Sequence, residues 1–395
     1  MAPVFDHETR SSGFLGDGRL ARQEPSRRSS PRMLVWLINW LADATAEGGA
    51  MTVASAVRSP ILRAAIAAAV CLLLTLALGP RSIAWLRARF LEPDKCPSPA
   101  IRALHQSKRR TPTMGGIFLI AGLAAAVLLL ADLRNPLVLL ALALTAALAA
   151  LGAIDDLVKL RTSAAGISPR AKLLAQTAIA ALAALALYRW RGDSSDGAEW
   201  LSVVGLAPAT WRYVPFAALV IVSSSNAVNL TDGLDGLAGG TLLFSVAALA
   251  VLLFIGGAGT TAMPVGTQQH LSSELLVIAG AMAGGILGFL RFNLHPAQVF
   301  MGNTGSLALG GLLALLALAA HCELLLVVIG GVFVVEAASV LVQVGVYKLR
   351  GRRLLRCAPL HHHFELAGWS ETTIVARFWI ASGVCAVVGV LVGLL

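Results

Sequence analysis

Long apolar runs separated by short polar segments dominate this chain. Ten runs come close to the roughly 20 apolar residues that a helix needs to cross a bilayer. The pattern therefore predicts an all-α polytopic integral membrane protein with about ten transmembrane helices. The predicted spans are 61–79, 115–131, 136–154, 171–188, 213–228, 239–257, 274–290, 305–320, 324–347 and 376–394.

The composition supports this prediction. Hydrophobic residues make up 57% of the 395 residues and charged residues only 13%, whereas soluble domains carry about 25% charged residues. The net charge of +10 is concentrated in particular loops between apolar runs, so it indicates membrane topology and not a nucleic-acid partner. The five cysteines form no CxxC pair, and they indicate neither a disulfide framework nor a zinc site.

The distribution of Lys and Arg predicts the orientation in the membrane. Segments 80–114, 155–172 and 348–375 hold eight, four and five of them, whereas the alternate segments 132–135 and 189–212 hold one and three. By the positive-inside rule the first set is cytoplasmic and both termini are periplasmic. Most of the unusual polar clusters fall in the cytoplasmic set. This favours an enzyme with its active site at the cytoplasmic face over a channel or carrier, whose polar groups lie mid-span or on both faces.

The first 32 residues have a different character. They are polar, contain six arginines and lack the apolar segment of a signal peptide. Met33 begins the stretch MLVWLINWL, which is a more typical start for a membrane protein. We therefore expect 1–32 to be a disordered extension or a misassigned start, and 33–395 to form the ten-helix domain.

Two motifs are rich in acids. LGAIDDLVKL places Asp155 and Asp156 at the end of the third span, with Lys159 one turn beyond. Such a pair is either a solvated helix end or a metal ligand next to a base. In NAVNLTDGLDGLAGG, Asn and Asp recur at every third position from 226 to 235, which gives one polar stripe if the segment is helical. The glycines allow close approach to a ligand, although capped helix ends would also explain the polar residues.

Two further motifs carry basic residues and histidines. HQSKRRTPTMGG (105–116) places three basic residues before a Thr-Pro-Thr turn at a helix start. A positive-inside charge run or phosphate contact would account for them. In APLHHHFELAGW (358–369) the three consecutive histidines would spread about 100° apart on a helix, so they cannot all face one metal ion. With the nearby arginines they fit an anionic substrate better than a zinc site.

An acid also lies inside a predicted span. Glu336 is near the middle of the ninth span, with Ser339 and Gln343 on the same face. It indicates either a functional site or a helix–helix hydrogen bond. Acids that suit Mg²⁺, basic groups and histidines that suit phosphate, and apolar grooves between helices together indicate phosphoryl transfer from a soluble anionic donor to a lipid.

Five motifs carry a resemblance to a known family. TPTMGG, DDLVK, NAVNLTDGLDGLA, FMGNTGSLALGG and APLHHHFE occur in the order seen in the polyprenyl-phosphate N-acetylhexosamine-1-phosphate transferase superfamily, which the chain resembles from about Met33 to its C-terminus. TPTMGG and APLHHHFE are similar to the muramoyl-pentapeptide branch. The resemblance implies a homodimeric, multi-pass enzyme of the bacterial inner membrane. It would transfer phospho-MurNAc-pentapeptide from UDP-MurNAc-pentapeptide to undecaprenyl phosphate, with Mg²⁺ as cofactor, giving UMP and lipid I for peptidoglycan synthesis.

The resemblance also implies roles for individual residues. The catalytic residues would be Asp155, as the base that deprotonates the lipid phosphate, with Asp156, Asp232 and His361. The residues that position phosphates and substrate would be Lys108, Thr113 and Lys159. The nucleotide and sugar pocket would be lined by Asn229, Gly233, Leu234, Asp235, Asn293, Phe300, Ser306, Gln343, Ala358, His361 and His362. The metal would be held by Asp156 and residue 303, and the ninth span would border a groove for the polyprenyl tail.

Two positions depart from the family pattern. Arg110 stands where the family has glycine before Thr-Pro-Thr, and Asn303 stands where the family has an aspartate that is thought to bind Mg²⁺. An amide offers one neutral oxygen, so we expect a weaker metal site with a raised Mg²⁺ requirement and no covalent intermediate on residue 303. The alternatives are a catalytically impaired homologue, a related polyprenyl-phosphate sugar-1-phosphate transferase, or a carrier on the same scaffold.

Overall fold

The computed structural model describes residues 59–90, 111–162, 166–191, 210–257 and 267–395. The expected extension 1–32 and the apolar stretch after Met33 lie outside these residues. The helices of the described part are α1 (Pro60–Arg89), α2 (Gly116–Leu130), α3 (Pro136–Arg161), α4 (Pro169–Arg191), α5 (Tyr213–Thr231), α6 (Leu237–Gly257), α7 (Thr267–Asn293), α8 (Gly302–Ala319), α9 (Glu323–Ile329), α10 (Gly331–Arg350), α11 (Leu360–Leu366) and α12 (Glu371–Gly393).

The prediction of an all-α membrane protein is confirmed. Nine helices of the described part are long and apolar enough to cross a membrane. The remaining predicted span, 115–131, corresponds to α2, which is apolar but only 15 residues long. Each of the ten predicted runs thus coincides with a helix, because the backbone must satisfy its own hydrogen bonds in lipid.

The ninth predicted span differs in one respect. The sequence predicts one helix over 324–347, but the structure divides this run at Gly330 into the short α9 and the longer α10. Gly330 and Gly331 adjoin each other at the break, and glycine pairs are a common cause of helix kinks because glycine weakens the helix. The break separates α9 from α10, the helix that carries Glu336.

Helix α8 lies at the centre of the bundle. Every residue from Asn303 to Ala319 is buried, which agrees with a helix that is apolar or small on all sides. Small residues bring its neighbours close: the Ser224 hydroxyl of α5 donates to the Gly310 carbonyl at 2.7 Å, and the Ser225 hydroxyl donates to the Leu307 carbonyl at 2.9 Å. Because α8 begins at Gly302, its central position also places the polar residues around Asn303 inside the bundle.

Helices α1 and α7 form another close pair. Gly280 and Gly284 of α7 face the α1 backbone at Ala64 and Ala68, where a methyl group would collide with carbonyl oxygens. Such contacts between small residues are typical of helices packed in lipid. The pair brings the end of α7, at Asn293, to the same end of the bundle as the start of α8.

Candidate functional site

The two adjacent aspartates lie where the end of α3 meets the start of α8. Helix α3 runs on to Arg161, beyond the predicted end of its span, so Asp155 and Asp156 are helical residues. Gly152 lies against the backbone of Asn303, at a point where any side chain would collide with the carbonyl. One turn later both aspartates face the first turn of α8, and they are only 2% and 3% exposed. The interpretation as a solvated helix end is therefore wrong.

Two lysines surround Asp155. Its Oδ2 atom lies 3.3 Å from the Lys159 ammonium, one turn along α3, and 3.0 Å from the Lys172 ammonium at the start of α4. Its Oδ1 atom accepts the backbone N–H of Ile167 at 2.7 Å. Gly166, which has a φ of +117°, sits against Oδ1 and allows the connecting loop to pass this close. The carboxylate is thus held between two positive charges and a backbone donor.

Asp156 is held by the first turn of α8. Its Oδ2 atom accepts the Thr304 backbone N–H at 3.1 Å and the Thr304 hydroxyl at 2.9 Å, while Oδ1 accepts the Asn303 backbone N–H at 3.3 Å. Gly302 has a φ of +72°, and a methyl group on it would lie 2.8 Å from Asp156 Oδ2 and 2.9 Å from the Thr113 hydroxyl. The structure therefore brings Thr113, from the Thr-Pro-Thr turn, to the side of Asp156.

Asn303 joins the aspartates to α5. Its amide nitrogen donates to Asp155 Oδ2, and its amide oxygen accepts from the amide nitrogen of Asn229. That Asn229 nitrogen also donates to the Ser306 hydroxyl at 2.8 Å. Asp155, Asp156, Asn229, Asn303 and Ser306 thus form one polar cluster, which we call the aspartate cluster together with Thr304, Lys159 and Lys172. The metal-ligand role of Asn303 stays a prediction.

The expected helical stripe from 226 to 235 is only partly correct. Helix α5 ends at Thr231, and Asp232 caps it with non-helical backbone angles, because the glycines that follow do not favour continued helix. Asn226 and Asn229 are helical, but the Asn226 amide donates to Gln176 at 3.1 Å and not to the aspartate cluster. The remaining polar residues, Asp232 and Asp235, lie in the turn 232–236 and not on the helix.

Asp235 belongs to a second group of polar residues. Asp235 is 3% exposed, and its Oδ2 atom lies 3.1 Å from His295 Nδ1 and accepts the Ala297 backbone N–H at 3.0 Å. Glu371, at the start of α12, accepts the Asp235 backbone N–H at 2.7 Å. One ligand atom of each of Asp235, His295 and Glu371 lies within 4.8 Å of the others. This spacing of ligand atoms suits a cation. The hydrogen bonds of Asp235 with His295 and Ala297 explain the same arrangement without one.

Asn293 supports the same turn from the end of α7, whereas Phe300, in the segment before α8, contacts the Thr-Pro-Thr segment. The Asn293 side chain accepts the Gly236 backbone N–H at 3.1 Å and donates to the Val299 carbonyl at 2.9 Å. The Phe300 backbone N–H donates to the Pro112 carbonyl at 2.9 Å. Leu234 is 4% exposed and belongs to a small apolar cluster with Leu237 and residues of α12. These residues are near the turn, and their contacts with a nucleotide or sugar stay predictions.

The three histidines lie on the short α11 and separate as their helical spacing predicts. His361 is fully buried, and its Nδ1 atom lies 3.0 Å from Glu336 Oε2. His362 Nδ1 lies 2.6 Å from Glu365 Oε2, and His363 Nδ1 accepts the Arg356 backbone N–H at 3.1 Å. Each histidine thus has a different partner, in keeping with the prediction that they do not share one metal ion.

His361 also contacts the turn after α5. A methyl group on Gly233 would collide with His361 Nε2, and among the described residues this buried nitrogen has no hydrogen-bond partner. The Asp232–Gly236 turn therefore touches α11 through Gly233 and α12 through Asp235, one helical turn beyond Asn229 of the aspartate cluster.

Gln343 lies in α10 and contacts the α10–α11 connection, which contains Ala358. The Gln343 side chain accepts the backbone N–H groups of Leu354 and Leu355 at 3.1 and 2.9 Å and donates to the Leu355 carbonyl at 3.1 Å. Its oxygen and nitrogen atoms therefore hold this loop in the structure. Ala358 precedes Pro359 at the start of α11 and is half-buried. The roles of both residues in substrate binding stay predictions.

An apolar cavity of about 420 Å³ lies on the other side of α11. It is lined by residues of α10, α11 and α12, among them Val335, Leu360, Phe364 and Phe378. Leu360 directly precedes His361, so one short helix borders both the cavity and the turn that carries Gly233.

Several neighbours of the predicted residues were not expected from the sequence. Lys172, Thr304, His295 and Glu371 all contact a predicted site residue. Lys172 could have been noticed, because a loop as short as 162–168 places the start of α4 beside the end of α3. The others are brought in from distant positions. Lys108 and Arg110 lie outside the described residues.

This chain is similar in sequence to known proteins over most of its length. A sequence model described as Glycosyl transferase family 4 matches residues 137–321. A protein from Nitratidesulfovibrio vulgaris (strain DP4), named phospho-N-acetylmuramoyl-pentapeptide-transferase, is 42% identical over 349 residues, which cover 86% of this chain and 94% of the relative. Proteins of the same name from Caulobacter vibrioides (strain NA1000 / CB15N) and Desulfitobacterium hafniense are 39% and 42% identical, covering 90% and 82% of this chain and 98% and 96% of the relatives.

Proposed function

The chain belongs to the phospho-N-acetylmuramoyl-pentapeptide-transferase family, and we propose that it transfers phospho-MurNAc-pentapeptide from UDP-MurNAc-pentapeptide to undecaprenyl phosphate. The products are lipid I and UMP, and the reaction belongs to peptidoglycan synthesis. The proposal adds the bacterial inner membrane as location and a homodimer as assembly, both implied by the resemblance.

One observation supports the chemistry most directly. Asp155 is a buried carboxylate with two lysine ammonium groups within 3.3 Å. An acid between two cations suits a phosphate site, because the lysines attract the anionic substrates while the carboxylate can take a proton from one of them. The aspartate cluster lies at the end of a bundle of apolar helices that can hold a lipid acceptor. Its neutral donors and acceptors are the side chains of Asn229, Asn303, Thr304 and Ser306.

We assign the reaction steps accordingly. Asp155 accepts the proton of the undecaprenyl phosphate, and the freed oxygen attacks the β-phosphorus of the UDP-linked donor. A new phosphorus–oxygen bond forms to the lipid phosphate, the bond to the bridging oxygen breaks, and UMP leaves with that oxygen. Lys159 and Lys172 balance the phosphate charge. An asparagine at 303 cannot act as a covalent nucleophile, so direct attack by the lipid is the route that these residues permit.

The aspartate cluster also fits the expected Mg²⁺. Its candidate ligand atoms are all oxygens, which Mg²⁺ prefers, and Mg²⁺ is usually bound by one or two carboxylates plus substrate phosphates. The residues that would hold the ion are Asp156 and Asn303, the latter through its amide oxygen, which accepts from Asn229 while the amide nitrogen faces Asp155. When bound, Mg²⁺ supplies positive charge that stabilises the pyrophosphate as UMP leaves.

The donor would bind along the turn that follows α5. Asn229, Gly233 and Asp235 lie within a few residues of one another and present different groups towards α8, α11 and α12. A sugar nucleotide is long and polar, so a turn that meets three helices suits it. Asn293 contacts this turn from the end of α7.

The acceptor tail would lie along α10. This helix exposes a row of large apolar side chains, including Val334, Leu341 and Val344, and Glu336 is its buried acid. An exposed apolar helix face beside a polar cluster lets a lipid place its phosphate at the cluster while its tail stays in the bilayer.

Product analysis tests the proposal. The purified full chain is incubated with UDP-MurNAc-pentapeptide, undecaprenyl phosphate and Mg²⁺, and UMP and lipid I are both measured. The expected result is their formation in equal amounts, with a large loss in Asp155→Asn. UMP at the background level, even at high Mg²⁺, would overturn the proposal and favour an impaired homologue. Substrate movement across vesicles without UMP would favour a carrier, and activity with a different UDP-sugar alone would favour a related transferase.

A further inference from the structure

Both polar atoms of the Asn303 side chain form hydrogen bonds. It is 7% exposed, its amide nitrogen donates to Asp155, and its amide oxygen accepts from Asn229. Its backbone N–H donates to Asp156. Residue 303 therefore contacts both adjacent aspartates and the end of α5 at once.

Chemistry fixes the direction of this amide. An ionised carboxylate only accepts hydrogen bonds, so the atom of residue 303 that faces Asp155 must be a donor. The Asn229 nitrogen only donates, so the atom that faces it must be an acceptor. Asparagine meets both demands without any added group. A carboxylate at 303 would set two acceptors against each other, which requires a proton or a cation between them.

The charges of the cluster agree with a neutral residue at this position. Asp155 and Asp156 contribute two negative charges, and Lys159 and Lys172 contribute two positive charges at 3.3 and 3.0 Å from Asp155. These four groups sum to zero. A third carboxylate would leave one buried negative charge without a partner, which is costly in a low-dielectric site.

We propose that the Asn303 amide takes the place of a cation between positions 155 and 303, so that this chain assembles its aspartate cluster without divalent metal. The family resemblance sets an aspartate at this position, and such a chain would need the cation to bring the two carboxylates together. In this chain the hydrogen bond does so, and metal is required only with the substrate phosphates. The inference rests on the proposed function only for the identity of the cation, Mg²⁺.

Thermal unfolding without substrate tests this inference. The full chain and the variant Asn303→Asp are purified in the same detergent and heated in EDTA or in Mg²⁺. The wild-type midpoint is expected to differ by less than about 1 °C between the two conditions, because a weakly bound ion contributes little to stability. Asn303→Asp is expected to unfold roughly 3 °C or more below wild type in EDTA and to regain most of that loss in Mg²⁺.

Asn226→Asp is the matched control. It makes the same chemical change on α5, one turn before Asn229, where the side chain contacts Gln176 and the Val222 carbonyl. Any loss of stability in this variant is expected to persist in Mg²⁺. If Mg²⁺ rescues both variants equally, the ion acts on the surface in general and the inference fails.

A second measurement does not depend on the stability of a variant. Binding of Mn²⁺, as a paramagnetic substitute for Mg²⁺, is followed by electron paramagnetic resonance on the substrate-free wild-type chain. Weak binding is expected, with a gain of about tenfold or more in affinity for Asn303→Asp. Tight binding to the wild type that persists in Asp235→Asn, which disrupts the separate group of Asp235, His295 and Glu371, would overturn the inference. A wild-type midpoint that falls in EDTA as much as that of the variant would also overturn it. Neither readout requires UMP release, so this inference and the proposed function can fail separately.

Discussion

Glu336 and His361 form a fully buried pair in which both oxygens of the Glu336 carboxylate contact His361. Glu336 Oε1 accepts the His361 backbone N–H at 3.1 Å, and Oε2 lies 3.0 Å from His361 Nδ1. Because Nδ1 donates its proton to the carboxylate, the ring orientation is set and Nε2 is directed at Gly233. The interpretation of Glu336 as the partner in a helix–helix hydrogen bond is confirmed, between α10 and α11. A functional role for Glu336 stays a prediction.

Glu336→Gln is expected to lower kcat more than it changes KM. Glutamine has one acceptor oxygen where His361 needs two acceptors, so a buried N–H loses its partner, a loss of about 1–3 kcal/mol, or roughly five- to 150-fold in rate. UMP release is measured over a range of pH and donor concentrations. Ser339→Ala serves as control, because the hydroxyl of Ser339 donates to the backbone carbonyl of Glu336 and not to its carboxylate. An unchanged kcat and pH profile in Glu336→Gln would show that the pair has no part in the reaction.

Gly233→Ala is expected to disturb the turn after α5, because its methyl group would collide with His361 Nε2. We expect a loss of stability of about 1–3 kcal/mol, measured by thermal unfolding. In a His361→Ala background the same substitution should cost much less, which a double-mutant cycle detects. Gly345→Ala is the control, since no atom of the described residues lies within 4 Å of its added methyl group. Equal costs in both backgrounds would contradict the contact.

Lys172→Met is expected to reduce kcat/KM by about tenfold or more, since a charge-assisted hydrogen bond to a buried carboxylate is worth roughly 1.5–3 kcal/mol. Lys172 lies 3.0 Å from Asp155 and its side chain is 17% exposed. The matched variant Arg170→Met removes a charge from an exposed position on the same helix and should retain near wild-type UMP release. Equal losses would mean that general surface charge, and not the Asp155 contact, is responsible.

Arg63→Met is expected to destabilise the protein without affecting the chemistry of the folded molecules. Arg63 and Glu274 form a buried two-point ion pair at 2.8 Å, and Glu274 also accepts the Asp132 backbone N–H. Removal of one partner leaves an uncompensated charge, at a cost of roughly 3–5 kcal/mol. The double variant Arg63→Met/Glu274→Leu should regain part of the loss in thermal unfolding. A double variant less stable than the single one would contradict this account.

Some of this organisation follows from the sequence. Ten apolar runs identified ten helical segments, because the bilayer leaves the backbone few alternatives to a helix. The motifs also pointed to most residues of the aspartate cluster. Asp155, Asn229, Asn303 and Ser306 were all named from sequence, and they meet in the structure even though they come from three different helices.

Other features were decided by tertiary structure. The sequence does not tell that Glu371 accepts a hydrogen bond from the backbone of Asp235, or that Gln343 holds the loop after α10. These contacts join residues whose own local patterns carry no sign of the partner. The direction in which a helix end or a turn points depends on the neighbours that pack against it, and this is why the polar stripe expected from 226 to 235 divides at Asp232.

The identity of residue 303 is written in the sequence, but its effect is not. Sequence alone gives an amide where the family resemblance sets an acid, and from this follows a weaker metal site. Only the packing of α3 and α5 against α8 places that amide between Asp155 and Asn229. A chain specifies which groups it carries through covalent chemistry, whereas the partner that each group meets is set by how the helices come together.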